Sequence, residues 1–148
     1  MKRCINDAGL ALIKEFEGLR FTAYRDVGGV WTIGYGHTGG VYKGDQIGIS
    51  EAEWLLAQDV APAEAWVDTR TDPTKTSDNQ FAAMASLTFN IGTSAFLGSS
   101  VRRQHNLADF AAAAAAFLLW DKAPVDGILV TVNGLLDRRN AERTLYLT

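Results

Sequence analysis

Apolar residues along the chain switch between helical and strand spacing, and the switches divide it into elements. Leu10, Ile13 and Phe16 recur at helical spacing behind Asn6 and Asp7, either of which can cap a first helix, and Gly18 is a natural terminator. From Leu19 to Tyr35 β-branched and aromatic residues flank Asp26-Val27-Gly28-Gly29, the pattern of a hairpin. Turn signals on either side of Val41 and Tyr42 predict a further short strand there, and the small sheet ends at Gly48. Helices follow. Ser50 and Glu53 have capping-box spacing ahead of a stripe formed by Ala52, Leu55, Leu56, Val60, Ala63 and Val67, which Pro62 should kink or split. A second box, Ser77 with Gln80, precedes Phe81, Met84, Leu87 and Ile91, and Gly92 closes that helix. Short helical pieces run through His105, and an alanine-rich helix lies in 107–120. A hairpin-type turn at Asp126-Gly127 then leads to a final amphipathic helix carrying Leu135, Leu136, Leu145 and Tyr146.

A small sheet followed by several helices predicts an α+β fold of two lobes: a small N-terminal β-sheet, a larger mainly helical lobe, and a cleft between them suited to an extended ligand. The whole of 1–148 reads as one domain. Its 148 residues, 47% hydrophobic and 21% charged, are enough for one cored domain and too ordinary for disorder. No apolar run approaches the roughly 20 residues of a membrane-spanning helix, so the chain as given reads as soluble and without a signal peptide. One cysteine and two histidines leave too few ligands for a zinc site of His and Cys, which argues against metal-dependent hydrolysis. Net charge is −3. Residues 51–100 hold seven acids against two bases, and there is no broad basic field for a nucleic acid.

The chemistry gathers in the first hairpin. Acid/base chemistry at a bent backbone needs two carboxyl groups in unlike environments, one that keeps its proton and one that stays anionic. Glu17, at the end of the first helix, faces the negative pole of the helix dipole, a setting that suits the acid. Asp26, on a hairpin turn with exposed N–H groups, is in a setting that suits the anion. Thr32 lies six residues further on, where a hydroxyl across the hairpin can hold a water opposite Asp26.

The stretch Glu-Gly-Leu-Arg-Phe-Thr-Ala-Tyr-Arg-Asp-Val-Gly-Gly-Val-Trp-Thr-Ile-Gly-Tyr-Gly-His, 17–37, strongly resembles the signature of the phage-type lysozymes of glycoside hydrolase family 24. The likeness continues in family order through 48–60, 80–92 and 134–147. It implies a lysozyme-like fold and a catalytic trio of Glu17, Asp26 and Thr32. Alone, either acid would be a solvated surface charge; their joint placement with Thr32 in a long signature favours the catalytic reading. Phe89 and Asn90 resemble positions that line the sugar site, although Phe89 suits a core equally well. Arg138 and Arg139 resemble an arginine pair of the last helix, one of which can meet an N-terminal carboxylate, or else be solvated. His37 reads as a structural hydrogen-bonder rather than a proton shuttle, and Gly34 and Gly36 as points of tight backbone approach.

The resemblance implies an endolysin, a muramidase that hydrolyses the β-1,4 bond between N-acetylmuramic acid and N-acetylglucosamine in bacterial peptidoglycan. It implies no cofactor, no metal, no nucleic-acid partner and no stable membrane association. A monomer is expected, held in the host cytoplasm until a holin-type partner opens the membrane to the wall and periplasm. Two alternatives stand beside it: a lytic transglycosylase, which needs one acid/base carboxylate and no water-holding pair, and a wall-binding module without activity.

Overall fold

The computed structural model describes residues 2–148. In chain order the elements are α1 (Asp7–Glu17), β1 (Arg20–Arg25), β2 (Trp31–Gly34), α2 (Ile49–Arg70), α3 (Asp78–Ile91), α4 (Thr93–Leu97), α5 (Ser100–Asn106), α6 (Phe110–Phe117), β3 (Lys122–Val125), β4 (Ile128–Thr131) and α7 (Asn133–Leu147). The chain divides into two compact units, one of residues 13–61 and one of residues 1–12 with 62–148.

The smaller unit is built on the antiparallel pair β1–β2, with Tyr24 opposite Thr32, Arg25 opposite Trp31, and an irregular register between Arg20 and Tyr24. The predicted strand at Val41 and Tyr42 is absent. Asp45 closes a tight turn on Tyr42 instead, its carboxylate accepting the Tyr42 N–H at 2.8 Å. The strand-like contact falls a few residues later: Ala23 donates to the Asp45 carbonyl and Ile47 donates to the Phe21 carbonyl, each at 2.9 Å, beside a Thr22–Gln46 bridge. The turn signals predicted a third strand where the sheet has two and only an isolated bridge follows, because the side chain of Asp45 sets where the turn ends. Gly34, at φ +64, sits where a Cβ would press on Ile47 and Ala52, so the tight approach expected at this glycine is present.

Helix α2 begins at Ile49, one residue before the expected cap. Ala52 bonds to the Gly48 carbonyl, and Glu53 pairs with Lys14 at 3.0 Å instead of closing a box with Ser50. Pro62 does not split the helix; the boundary between the two units nevertheless falls at Ala61–Pro62.

In the larger unit α3 is the central element. Its capping box from Ser77 to Gln80 forms as expected, every residue from Phe81 to Thr88 is buried, and Gly92 terminates it at φ +97. Phe81, Met84 and Leu87 pack with Val67, Phe96, Val101, Phe117 and Tyr146, each large side chain contributing roughly 1.5–3 kcal/mol by leaving water. The alanines of α6 let it approach its neighbours closely, with Ala113, Ala114 and Ala116 buried and Asp109 capping its start. Asp126 and Gly127, both at positive φ, make the β3–β4 turn. Helix α7 differs from the expected leucine face: the side chains it buries are Arg138, Arg139, Glu142 and Tyr146, while Leu135 and Leu136 are only partly covered. Arg139 and Glu142 neutralise one another at 2.6 Å, which makes this burial possible.

Candidate active site

Glu17, Asp26 and Thr32 all belong to the unit of residues 13–61. Asn6 caps α1, its side chain accepting the Gly9 N–H at 3.0 Å, and Gly18 ends it at φ +72, so Glu17 is the last helical residue. A Cβ on Gly36 would stand 2.9 Å from Glu17 Oε2, and Gly36 itself has φ +84. The carboxylate therefore rests on bare backbone just beyond β2; the conformation of residue 36 favours glycine, and a Cβ there would make the Glu17 carboxylate shift.

Asp26 and Thr32 are tied to one residue. The Asp26 carboxylate accepts the Val30 N–H at 2.8 Å, and the Asp26 N–H donates to the Val30 carbonyl at 2.9 Å. That same carbonyl accepts the Thr32 hydroxyl at 2.9 Å. With Tyr24 opposite Thr32 and Asp26 opposite Val30, strand alternation puts Asp26 and Thr32 on one face as diagonal neighbours. Asp26 is exposed and Thr32 is 3% exposed. The proton of the Thr32 hydroxyl is engaged by Val30, so toward any further partner this oxygen acts as an acceptor.

Phe89 and Asn90 lie in the other unit, near the C-terminal end of α3, Phe89 half-buried and Asn90 exposed. Asn90 Oδ1 accepts from Arg139 Nη2 at 2.8 Å, which leaves its amide N–H groups as the outward polar atoms. Arg139 is completely buried, held by Glu142 and by the Trp120 carbonyl at 3.3 Å. His37 behaves as a structural hydrogen-bonder: Nδ1 meets the Asp59 carboxylate at 2.8 Å and Nε2 meets the Gly39 carbonyl at 2.7 Å.

Two buried polar groups escaped the sequence reading. Ser86 donates to Glu142 at 2.6 Å beneath the Arg139 pair; the spacing of Arg139 and Glu142 on one helix was the available signal. His105 joins Thr76 at 2.8 Å to Tyr146 at 2.6 Å, contacts between residues too distant in sequence for any pattern to announce. Among the described residues no cluster of three or more His, Cys, Asp or Glu is placed to hold a metal ion, and no helix is long and apolar enough to cross a membrane.

A carboxylate at a helix end and a second on a hairpin are the two kinds of group that glycoside hydrolysis uses. The phage lysozyme family matches residues 14–142, and the chain belongs to that family. It is 42% identical over 142 residues to an endolysin of Acyrthosiphon pisum secondary endosymbiont phage 1, covering 96% of this chain and 97% of that one. It is also 42% identical over 149 residues to the endolysin of Salmonella phage P22, covering 97% and 98%. The structure superposes on an endolysin from Escherichia coli O157:H7 phage FAHEc1 with a TM-score of 0.94 at 37% identity, over 99% of this chain and 95% of that one.

Proposed function

We propose that the chain cleaves the β-1,4 bond between N-acetylmuramic acid and N-acetylglucosamine, with Glu17 protonating the bridging oxygen while Asp26 and Thr32 align the attacking water. Membership of the phage lysozyme family makes it a peptidoglycan-hydrolysing glycosidase, a muramidase of endolysin type. The observation that carries the residue assignment is the common anchoring of Asp26 and Thr32 on Val30. Both present acceptor oxygens on one face, so a water between them donates both its protons and turns a lone pair toward the anomeric carbon. As that oxygen attacks, a proton passes to Asp26 and the proton of Glu17 passes to the departing sugar oxygen. The Asp26 carboxylate also opposes the positive charge that develops on the ring. Phe89 supplies an aromatic face to the saccharide, and Asn90, its carbonyl held by Arg139, donates to it. The enzyme acts as a monomer, waits in the host cytoplasm, and reaches the wall when a holin-type partner opens the membrane.

Mass spectrometry of digested peptidoglycan tests this reading. Reducing muramic acid ends are expected; 1,6-anhydro ends would make the protein a transglycosylase, and no release would make it a wall-binding module.

A further inference from the structure

A cavity of about 440 Å³ lies in the unit of residues 1–12 and 62–148, and none of Glu17, Asp26, Thr32, Phe89 or Asn90 lines it. Its wall carries Arg70, Lys75 and Arg102 against one acid, Asp72. Residues 51–100 are the acidic part of a chain of net charge −3, and the two bases they contain, Arg70 and Lys75, both face this cavity. The positive charge is thus concentrated against the trend of the surrounding sequence.

Both guanidinium groups are held in place. Arg70 lies 3.4 Å from the centroid of the Trp66 ring and donates from Nη1 to Thr69 Oγ1 at 2.6 Å. Arg102 donates from Nη1 to the Leu97 carbonyl at 3.1 Å. The one acid on this wall offsets only part of the charge. Asp72 Oδ1 accepts the Thr74 N–H at 2.8 Å and the Thr74 hydroxyl at 2.7 Å, and Lys75 Nζ stays 4.0 Å from its other oxygen. The Thr74 hydrogen bonds hold the Asp72 carboxyl below the usual carboxylate range, so it remains an anion committed to its own turn. Thr71 donates to the Val67 carbonyl, and Asn106 donates to the Arg70 carbonyl. His105 has both ring nitrogens closed by Thr76 and Tyr146. What faces the cavity is cationic N–H from three side chains and one carboxylate, Asp72, whose free oxygen pairs with Lys75. Two planar forks and an ammonium match the several oxygens and multiple charge of a tetrahedral phosphate better than a single carboxylate, and the volume admits a phosphate with substituents attached.

We propose that this cavity is an anion subsite for a phosphate or phosphodiester group, with Arg70, Lys75 and Arg102 as its ligands. It acts independently of the catalytic trio. Free phosphate and the phosphodiester units of an anionic wall polymer share the chemistry, and the test separates them. The full chain is titrated at constant ionic strength with inorganic phosphate in one arm and a glycerol-phosphate oligomer in the other, followed by amide NMR. Saturable shifts at 69–75 and 102–106 with a Kd of about 1 mM are expected for phosphate. An oligomer that binds at least about tenfold tighter per chain assigns the site to the polymer through repeated engagement; equal affinity per phosphate assigns it to the free ion. The double variant R70Q/R102Q should weaken binding at least about tenfold, and Lys75→Gln, an exposed change that leaves the fold untouched, about threefold, while Arg103→Gln outside the cavity changes nothing. No saturable shift at about 50 times the expected Kd, or equal binding by Lys75→Gln, R70Q/R102Q and the parent chain, overturns the proposal.

Discussion

Acid should loosen the larger unit through one histidine. The Thr76 hydroxyl donates to the Asp72 carbonyl at 2.7 Å, so the proton between Thr76 and His105 belongs to Nε2, and Nδ1 must accept from the Tyr146 hydroxyl. That relay needs a neutral ring. Protonation would make Nδ1 a second donor, turn the Tyr146 hydroxyl proton away from it, and leave a charge in a site where His105 is 4% exposed. Burial, with the charge of Arg3 adding to it, pushes the imidazole down from 6.5 to about 4. The unfolded chain therefore binds more protons between those values; stability is complete above about pH 6.5 and falls as pH drops toward 4. The gap corresponds to about 3 kcal/mol, or about 1–3 M in urea midpoint at ordinary slopes for this size. Urea unfolding at about pH 7, 5.5 and 4 in the parent and in His105→Gln isolates the effect, because the amide can donate to Thr76 and accept from Tyr146 without titrating. Glu142, whose carboxyl burial raises, acts with the opposite sign and is common to both proteins. Asp68, held below the ordinary range first by its hydrogen bond to Arg3, loses its contribution only at lower pH. A parent midpoint that does not move more than that of His105→Gln across this window would refute the reasoning.

Gly36→Ala should cost about 1–3 kcal/mol because an L-residue is strained at φ +84, and it should reduce lysis beyond that loss by displacing the Glu17 carboxylate; turbidity clearing measured well below the midpoint temperature separates the two effects. Thr32→Ser keeps the hydroxyl and should retain most turnover. Thr32→Ala should lower kcat about 10–100-fold while leaving wall binding intact, as kinetics on a defined oligosaccharide would register.

The first helix, the hairpin and the Ser77 box were legible because each is written locally: Asn6, Gly18, Gly29 and Gln80 satisfy or release nearby backbone groups. The same locality made Glu17, Asp26 and Thr32 visible as a group, since all three lie within sixteen residues. Where the reading failed, a side chain had a competing partner. Asp45 chose the Tyr42 amide and moved the third strand-like contact to 45–47, and Glu53 chose Lys14 over a capping box. The buried face of α7 was legible only in part: Tyr146 lies on it as expected, whereas hydropathy gives no reason to bury Arg139 and Glu142, whose pairing with each other and with Ser86 and Asn90 makes that burial tolerable. The carbonyl of Val30, which joins the Asp26 backbone to the Thr32 hydroxyl, could not have been read from composition at all.

In the proposed mechanism Asp26 and Thr32 hold a water on the sugar face opposite the Glu17 proton. Such a water delivers its oxygen from behind the breaking bond, and the product inverts. NMR of the first-formed anomer, recorded on a β-linked oligosaccharide of alternating muramic acid and glucosamine units before mutarotation, tests this directly. The α anomer is expected at the new reducing end; a β anomer would mean that Asp26 attacks the sugar itself, and would remove Thr32 from the role assigned to it.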